Sequence, residues 1–223
     1  GAHFLFTNLD SELFCQVYID SQSLLKKMRV LGIAANIRKK RKKEKMKIAI
    51  VGATGEVGRM MITCLEESNL TISELDLYAS KRSAGTVLYY TDQPLKVQEL
   101  KEDSLLKHYD YVLFSAGAGV AKTYAPISAQ ASEIVIDNSS GFRREPNIPL
   151  VVPEVNGELL LSYSGIVANP NCSTIQIILP LAVLDKLFCL KKLIVSTYQS
   201  VSGSGHQGIV TLLNQRKGKK DKG

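Results

Sequence analysis

The sequence lacks the marks of a membrane, fibrous or disulfide-stapled chain. No apolar stretch approaches the roughly 20 residues that a spanning helix needs. The longest mostly apolar run, residues 175–184, is interrupted by Pro180. Only four cysteines occur, Cys15, Cys64, Cys172 and Cys189, widely scattered. They form no CxxC or CxxH pair, so neither a metal site nor a disulfide framework is expected. A reducing cytoplasm is the expected compartment. The first residues show no cationic start followed by an apolar core, and hence no visible secretory signal. Repeats are absent. What is present is ordinary: 45% apolar and 22% charged residues over a length of 223, as in a globular protein of one or two domains.

The net charge of +7 is unevenly placed. Residues 1–45 hold 10 Lys+Arg against 4 Asp+Glu, and residues 216–223 hold 5 against 1. The body, 46–215, holds 13 against 16 and is mildly acidic. No nucleic-acid partner is expected of such a surface. The run Arg38–Lys45 repels itself and is expected to be solvated. It reads as a basic targeting or nucleic-acid patch, as a disordered extension, or as non-native residues translated from purine-rich sequence ahead of Met46.

From Met46 the pattern changes. Lys47–Gly52 is a short β-branched run ending in glycine, as buried parallel strands do. A helical period follows through Met60, Met61, Cys64 and Leu65. Leu75–Tyr78, Tyr111–Phe114, Ile134–Asp137 and Leu193–Ser200 read as further strands. Their alternation with helices predicts an α/β fold built on a parallel sheet. Pro146–Pro153 reads as an extended lead toward a second domain. Residues from Asn171 onward read as a long apolar helix kinked at Pro180.

Three motifs carry chemistry. Gly52-Ala53-Thr54-Gly55-Glu56-Val57-Gly58 is a GxxGxxG between a strand and a helix. In that context glycines admit a pyrophosphate to the backbone, and helix N–H groups hold its charge. About 20 residues on, an NAD site carries an acidic residue for the ribose hydroxyl. Here the strand end reads Tyr78-Ala79-Ser80-Lys81-Arg82-Ser83, and its cations and hydroxyls suit a 2′-phosphate, hence NADP. Asp76 dissents, but it precedes the strand end. Asn169-Pro170-Asn171-Cys172-Ser173-Thr174 puts a thiol at a helix start, where aligned peptide dipoles favour a thiolate nucleophile. Such a cysteine also reads as a small buried hydrophobe, as Cys64 and Cys189 do.

Seven segments in order resemble the bacterial-type aspartate-semialdehyde dehydrogenase family: Gly52–Gly58, Ser80–Gly85, Phe114–Gly117, Asp137–Arg143, Pro149–Asn156, Asn169–Thr174 and Tyr198–Gly205. The resemblance covers Met46 to about Gln215. It implies a Rossmann-like domain over 46–171, then the start of an α/β catalytic and dimerisation domain over 172–223, with 1–45 a disordered or non-native extension. The implied reaction is NADPH-dependent reductive dephosphorylation of aspartyl-4-phosphate to aspartate semialdehyde, in lysine, threonine and methionine biosynthesis. Inorganic phosphate is the co-product, and the full-length enzyme is a homodimer. By the same resemblance Cys172 is the nucleophile and Gln199 positions substrate. Arg143 and Asn171 bind it, Arg143 through the acyl phosphate. Gly52, Thr54, Gly55, Glu56, Val57, Gly58, Arg82, Ser83, Ser115, Gly117, Asn138, Ser202 and Gly203 are the implied cofactor contacts. Ala118-Gly119 departs from the family's usual second glycine before a serine.

The family's general-acid histidine and carboxylate-binding arginine have no counterpart in these residues. His206 follows the Ser-Gly-Ser-Gly turn, where the family does not keep its catalytic histidine. The chain is therefore expected to be a fragment, with turnover open. Two rival readings are an N-acetyl-glutamyl-phosphate reductase-like enzyme, whose motif has glycine where Asn171 stands, and a non-catalytic NADP binder.

Overall fold

The chain's structure is a computed structural model that describes residues 5–9, 12–15, 45–198 and 201–218. It divides into two compact units, one of residues 26–175 and one of residues 176–223 with 1–25.

In the larger unit the β-branched run becomes a strand, Met46–Val51. Every residue but Lys47 is buried there, as a strand covered on both faces requires. This is β3; β1 (Leu5–Leu9) and β2 (Glu12–Cys15) belong to the other unit. The following strands are β4 (Ile72–Ala79), β5 (Val87–Tyr90), β6 (Gln93–Lys96), β7 (Gln98–Glu99), β8 (Tyr111–Phe114), β9 (Ile134–Asp137) and β10 (Gly165–Ala168). Six of them form one sheet in the order β10-β9-β8-β3-β4-β7. All its pairings are parallel, with Val51 opposite both Tyr78 and Phe114. The order reverses direction at β3, the topological switch point where open α/β sheets bind ligands.

Alternation along β3 sorts the core. Ile48 and Ile50 join Met61 and Leu65 of helix α1 (Glu56–Glu66) on one face. Ala49 and Val51 join Ala121 and Ala125 of α2 (Ala118–Ser128) on the other. Burying each leucine or isoleucine contributes about 1.5–3 kcal/mol, and small alanines let α2 approach closely. This is the expected Rossmann-like layering.

One local expectation differs, and one hairpin was not anticipated. β5 and β6 form an antiparallel hairpin turning at Thr91 and Asp92, both at positive φ; its period is too short to read alone. Residues 149–152 do not lead away from the sheet. Val151 N–H donates to the Ala168 carbonyl at 3.0 Å, and Ala168 N–H to the Pro149 carbonyl at 2.9 Å, so the segment lies along β10. The helical turn α3 (Pro153–Asn156) follows it.

In the smaller unit, α4 (Cys172–Phe188) begins in the larger unit and runs into this one, with Pro180 inside it. Of the expected strand Leu193–Ser200, Leu193–Tyr198 forms no strand, and residues 199–200 lie outside the described residues. A strand needs a partner to satisfy its N–H and C=O groups, and no described residue supplies one. α5 (Gly205–Arg216) follows. Within 1–45, where no regular structure is expected, β1 and β2 pair antiparallel. The basic run Arg38–Glu44 lies outside the described residues.

Candidate active site

The carboxyl ends of β3, β8, β9 and β10 carry most of the implied site residues. At β3, Gly52 has φ +87°, a left-handed conformation that favours glycine. Its N–H and that of Ala53 both donate to the Tyr78 carbonyl, at 2.8 and 3.1 Å. A Cβ on Gly52 would stand 2.9 Å from the Ala116 nitrogen. A Cβ on Gly58 would meet the Gly52 carbonyl oxygen and lie 2.7 Å from the Ala53 Cα. Both glycines are therefore required by packing within the loop. Gly55 caps α1 and, having no side chain, makes no side-chain cap bond. The N–H groups around Thr54, Glu56 and Val57 thus front an end suited to an anion. Arg59 Nε donates to the Thr54 carbonyl at 3.1 Å and pins the loop.

Ser115 turns inward: its hydroxyl donates to the Val51 and Gly52 carbonyls at 3.2 and 3.0 Å, tying β8 to the glycine loop. Gly117 caps α2 at φ −66°, and nothing lies within 4 Å of its virtual Cβ. That open ground fits a dinucleotide passing over the loop. Arg82 is exposed and Ser83 half-buried, in a single 3-10 turn just beyond β4. Asp76 is engaged elsewhere. It lies opposite Ala49, inside β4, and accepts Tyr109 Oη–H at 2.6 Å and Lys107 Nζ–H at 2.7 Å. Lys107 also bonds Glu74. The two carboxylates raise the Lys107 pKa, and Lys107 lowers that of Glu74. Burial, then the bond to Asp76, pushes the Tyr109 phenol up.

The nucleophile end is built from two loops. After β10, Asn169 is buried, while Asn171 and Cys172 are exposed. Asn171 Oδ1 accepts Ser173 N–H at 3.0 Å, the N-cap bond that starts α4. Cys172 Sγ lies 4.0 Å from the same oxygen. After β9, Asn138 N–H donates to the Phe114 carbonyl at 3.0 Å, and Asn138 Oδ1 accepts from Asn169 Nδ2. Arg143 crosses between the loops. Its Nε donates to the Asn169 carbonyl at 2.9 Å and its Nη2 to the Asn138 carbonyl at 3.1 Å. Among the described residues no carboxylate pairs with it. Two of its five N–H donors are committed, so charge and donors remain for an anion. Arg144 is exposed.

The structure thus brings Arg143, Asn138 and the Asn171-Cys172 helix start together on adjoining loops. Gln199 lies outside the described residues. Ser202 falls in the 3-10 turn Val201–Ser204, and Gly203 there is exposed. Cys64 is buried in the core, whereas Cys189, expected in an apolar setting, is exposed at φ +52°. Sequence reasoning missed Asn169, the hub between the loops, although it opens the same motif as Cys172. Among the described residues no helix is long and apolar enough to cross a membrane.

Known proteins resemble this chain in sequence and in fold. Residues 47–163 match the family model described as semialdehyde dehydrogenase, NAD binding domain. The aspartate-semialdehyde dehydrogenase of Aquifex aeolicus is 48% identical over 173 residues, 77% of this chain and 51% of that protein. A crystal structure of aspartate semialdehyde dehydrogenase II complexed with ASA from Vibrio cholerae superposes with a TM-score of 0.73 at 38% identity, covering 81% of this chain and 55% of that one. The enzyme with NADP from Candida albicans gives a TM-score of 0.53 at 30% identity, covering 64% and 47%. The chain spans about half the length of the curated relatives it matches. On the match that spans β3 to β9, and on the glycine loop built there, the chain belongs to the semialdehyde dehydrogenase family, through its NAD-binding domain.

Proposed function

We propose that this chain carries the NADP site and the nucleophile of an aspartate-semialdehyde dehydrogenase, which reduces aspartyl-4-phosphate to aspartate semialdehyde and releases inorganic phosphate. The observation that carries the reading is Arg143. It is fixed on the carbonyl of Asn138 and on that of Asn169, the residue three before Cys172, and holds its charge free of any described carboxylate.

The Cys172 thiolate attacks the acyl carbon, the bond from carbon to the phosphate oxygen breaks, and phosphate leaves against the N–H groups of Arg143. A thioester remains on Cys172. NADPH, when bound, supplies the hydride that reduces this carbonyl. The carbon–sulfur bond then breaks, the aldehyde departs and the thiolate returns. Asn171 starts the helix that presents the thiol and lines the substrate site; Gln199 positions substrate. Thr54, Gly55, Glu56 and Val57 hold the pyrophosphate, Arg82 and Ser83 the 2′-phosphate, and Gly117, Asn138, Ser202 and Gly203 the nicotinamide half. NADP is supported by the cations beyond β4, by the engagement of Asp76 away from that end, and by the relative solved with NADP. The cytoplasmic homodimer is part of the same reading.

Incubation with aspartyl-4-phosphate, without NADPH, tests it. One equivalent of phosphate is expected, with a hydroxylamine-labile adduct on Cys172 that Cys172→Ser abolishes. Preferential acylation by N-acetyl-glutamyl phosphate would favour the reductase-like rival. NADP binding with no acylation would favour a non-catalytic binder.

A further inference from the structure

Arg143 is delivered by a turn that two other side chains shape. Asp137 ends β9 fully buried, and its carbonyl accepts Asn169 N–H at 2.8 Å. Its carboxylate folds the next residues back. Oδ1 accepts Ser139 N–H at 2.9 Å and Oδ2 accepts the Ser139 hydroxyl at 2.9 Å. Ser139 Oγ in turn accepts Gly141 N–H at 3.0 Å. A Cβ on Gly141 would sit 3.2 Å from that hydroxyl and 3.4 Å from the Ala118 carbonyl, so the turn is packed to its backbone.

A buried carboxylate is costly unless compensated. Among the described residues no cation pairs with Asp137. Arg143, six residues on, binds two main-chain carbonyls instead. Were it to neutralise Asp137, its charge would be lost to any ligand. Hydrogen bonds to Ser139 satisfy the carboxylate and leave the guanidinium's charge and its remaining N–H donors uncommitted.

We propose that Asp137 and Ser139 are positioning residues for the acyl-phosphate site: they hold the turn over 137–141 so that the remaining N–H groups of Arg143 face the leaving phosphate. The inference rests on the function proposed above.

The test uses the full chain and inorganic phosphate. The alkylation rate of Cys172 by iodoacetamide is followed on its own peptide by mass spectrometry as phosphate is raised, and NADP+ affinity is measured in parallel. In the wild type, phosphate is expected to change the rate saturably, and Arg143→Gln to abolish the effect. Ser139→Ala and Asp137→Asn are expected to raise the half-saturating phosphate about tenfold, the loss of one well-placed charge-assisted contact. Their rates without phosphate and their NADP+ affinities are expected to stay within about twofold. Ser139→Thr keeps the hydroxyl and is expected to restore phosphate affinity. Unchanged phosphate dependence in both Ser139→Ala and Asp137→Asn would overturn the inference alone. So would a parallel loss of phosphate and NADP+ binding, the mark of a merely structural role. If Ser139→Ala does not fold, Asp137→Asn and Ser139→Thr decide it. A wild type blind to phosphate would remove the acyl-phosphate reading and this inference with it.

Discussion

At the scale of single residues, the glycines separate fold from function. Gly58 has no room for a Cβ against the Gly52 carbonyl and the Ala53 Cα. Gly58→Ala is expected to cost about 3 kcal/mol, at the upper end of overpacking, read as a lowered denaturant midpoint. Gly117 has open space and an unstrained φ of −66°. Gly117→Ala is expected to leave that midpoint within about 0.5 kcal/mol while weakening NADP+ binding; equal stability and equal affinity would remove Gly117 from the cofactor path. Much of this end was legible in the chain. Glycine spacing after a β-branched run places a turn, and Asn-Pro-Asn-Cys before an apolar period places a capped thiol. Two things were not legible. Ser115 reads as a cofactor contact, yet its hydroxyl stitches two strand ends together. Asn169 opens the cysteine motif with no role assigned to it, yet it joins Arg143 to Asn138. Both depend on which strands become neighbours, and no local pattern carries that.

At the scale of elements, β4 shows how one strand serves two purposes. Its end leads to Arg82 and Ser83, and its middle carries Glu74 and Asp76 into the cluster with Lys107, Tyr109 and Lys47. The Lys107 pKa is raised, so its contribution is whole below about pH 10 and is lost as pH climbs through the folded value. The Glu74 pKa is lowered, so its share is present above its ordinary 4.5 and lost as pH falls through the folded value. Lys107→Met is therefore expected to destabilise between about pH 5 and pH 10, by no more than about 1 kcal/mol for so exposed a pair. The difference from wild type is expected to shrink near pH 3; urea midpoints at the two pH values check this. The strands with β-branched runs between glycines were readable. The hairpin over 87–96 was not, because its turn residues, Thr91 and Asp92, carry no glycine to announce positive φ. Leu193–Tyr198 has strand-forming residues without a described neighbour, and composition alone does not make a ladder.

At the scale of the whole molecule, the two units differ in how they treat apolar surface. The sheet unit buries the central strands of its six-stranded sheet on both faces and exposes apolar residues mainly outside them, among them Tyr89 and Leu159. The other exposes Val183, Leu187, Phe188, Ile194, Tyr198 and Leu213. Exposed apolar side chains in such number favour association where they adjoin. The chain is expected to self-associate at micromolar concentration, and Leu187→Lys with Phe188→Glu to reduce that; sedimentation that is identical for variant and wild type would speak against this face. The central claim joins the glycine loop to Cys172 through one reaction. The direct measurement is NADPH formation at 340 nm from aspartate semialdehyde, NADP+ and inorganic phosphate, with NADP+ affinity measured on the same preparation. The account predicts absorbance only when all three are present. It also predicts a loss of about a thousandfold or more in Cys172→Ser, as for removal of a nucleophile, with NADP+ affinity unchanged. Wild-type chain that binds NADP+ yet forms no NADPH under these conditions would contradict it.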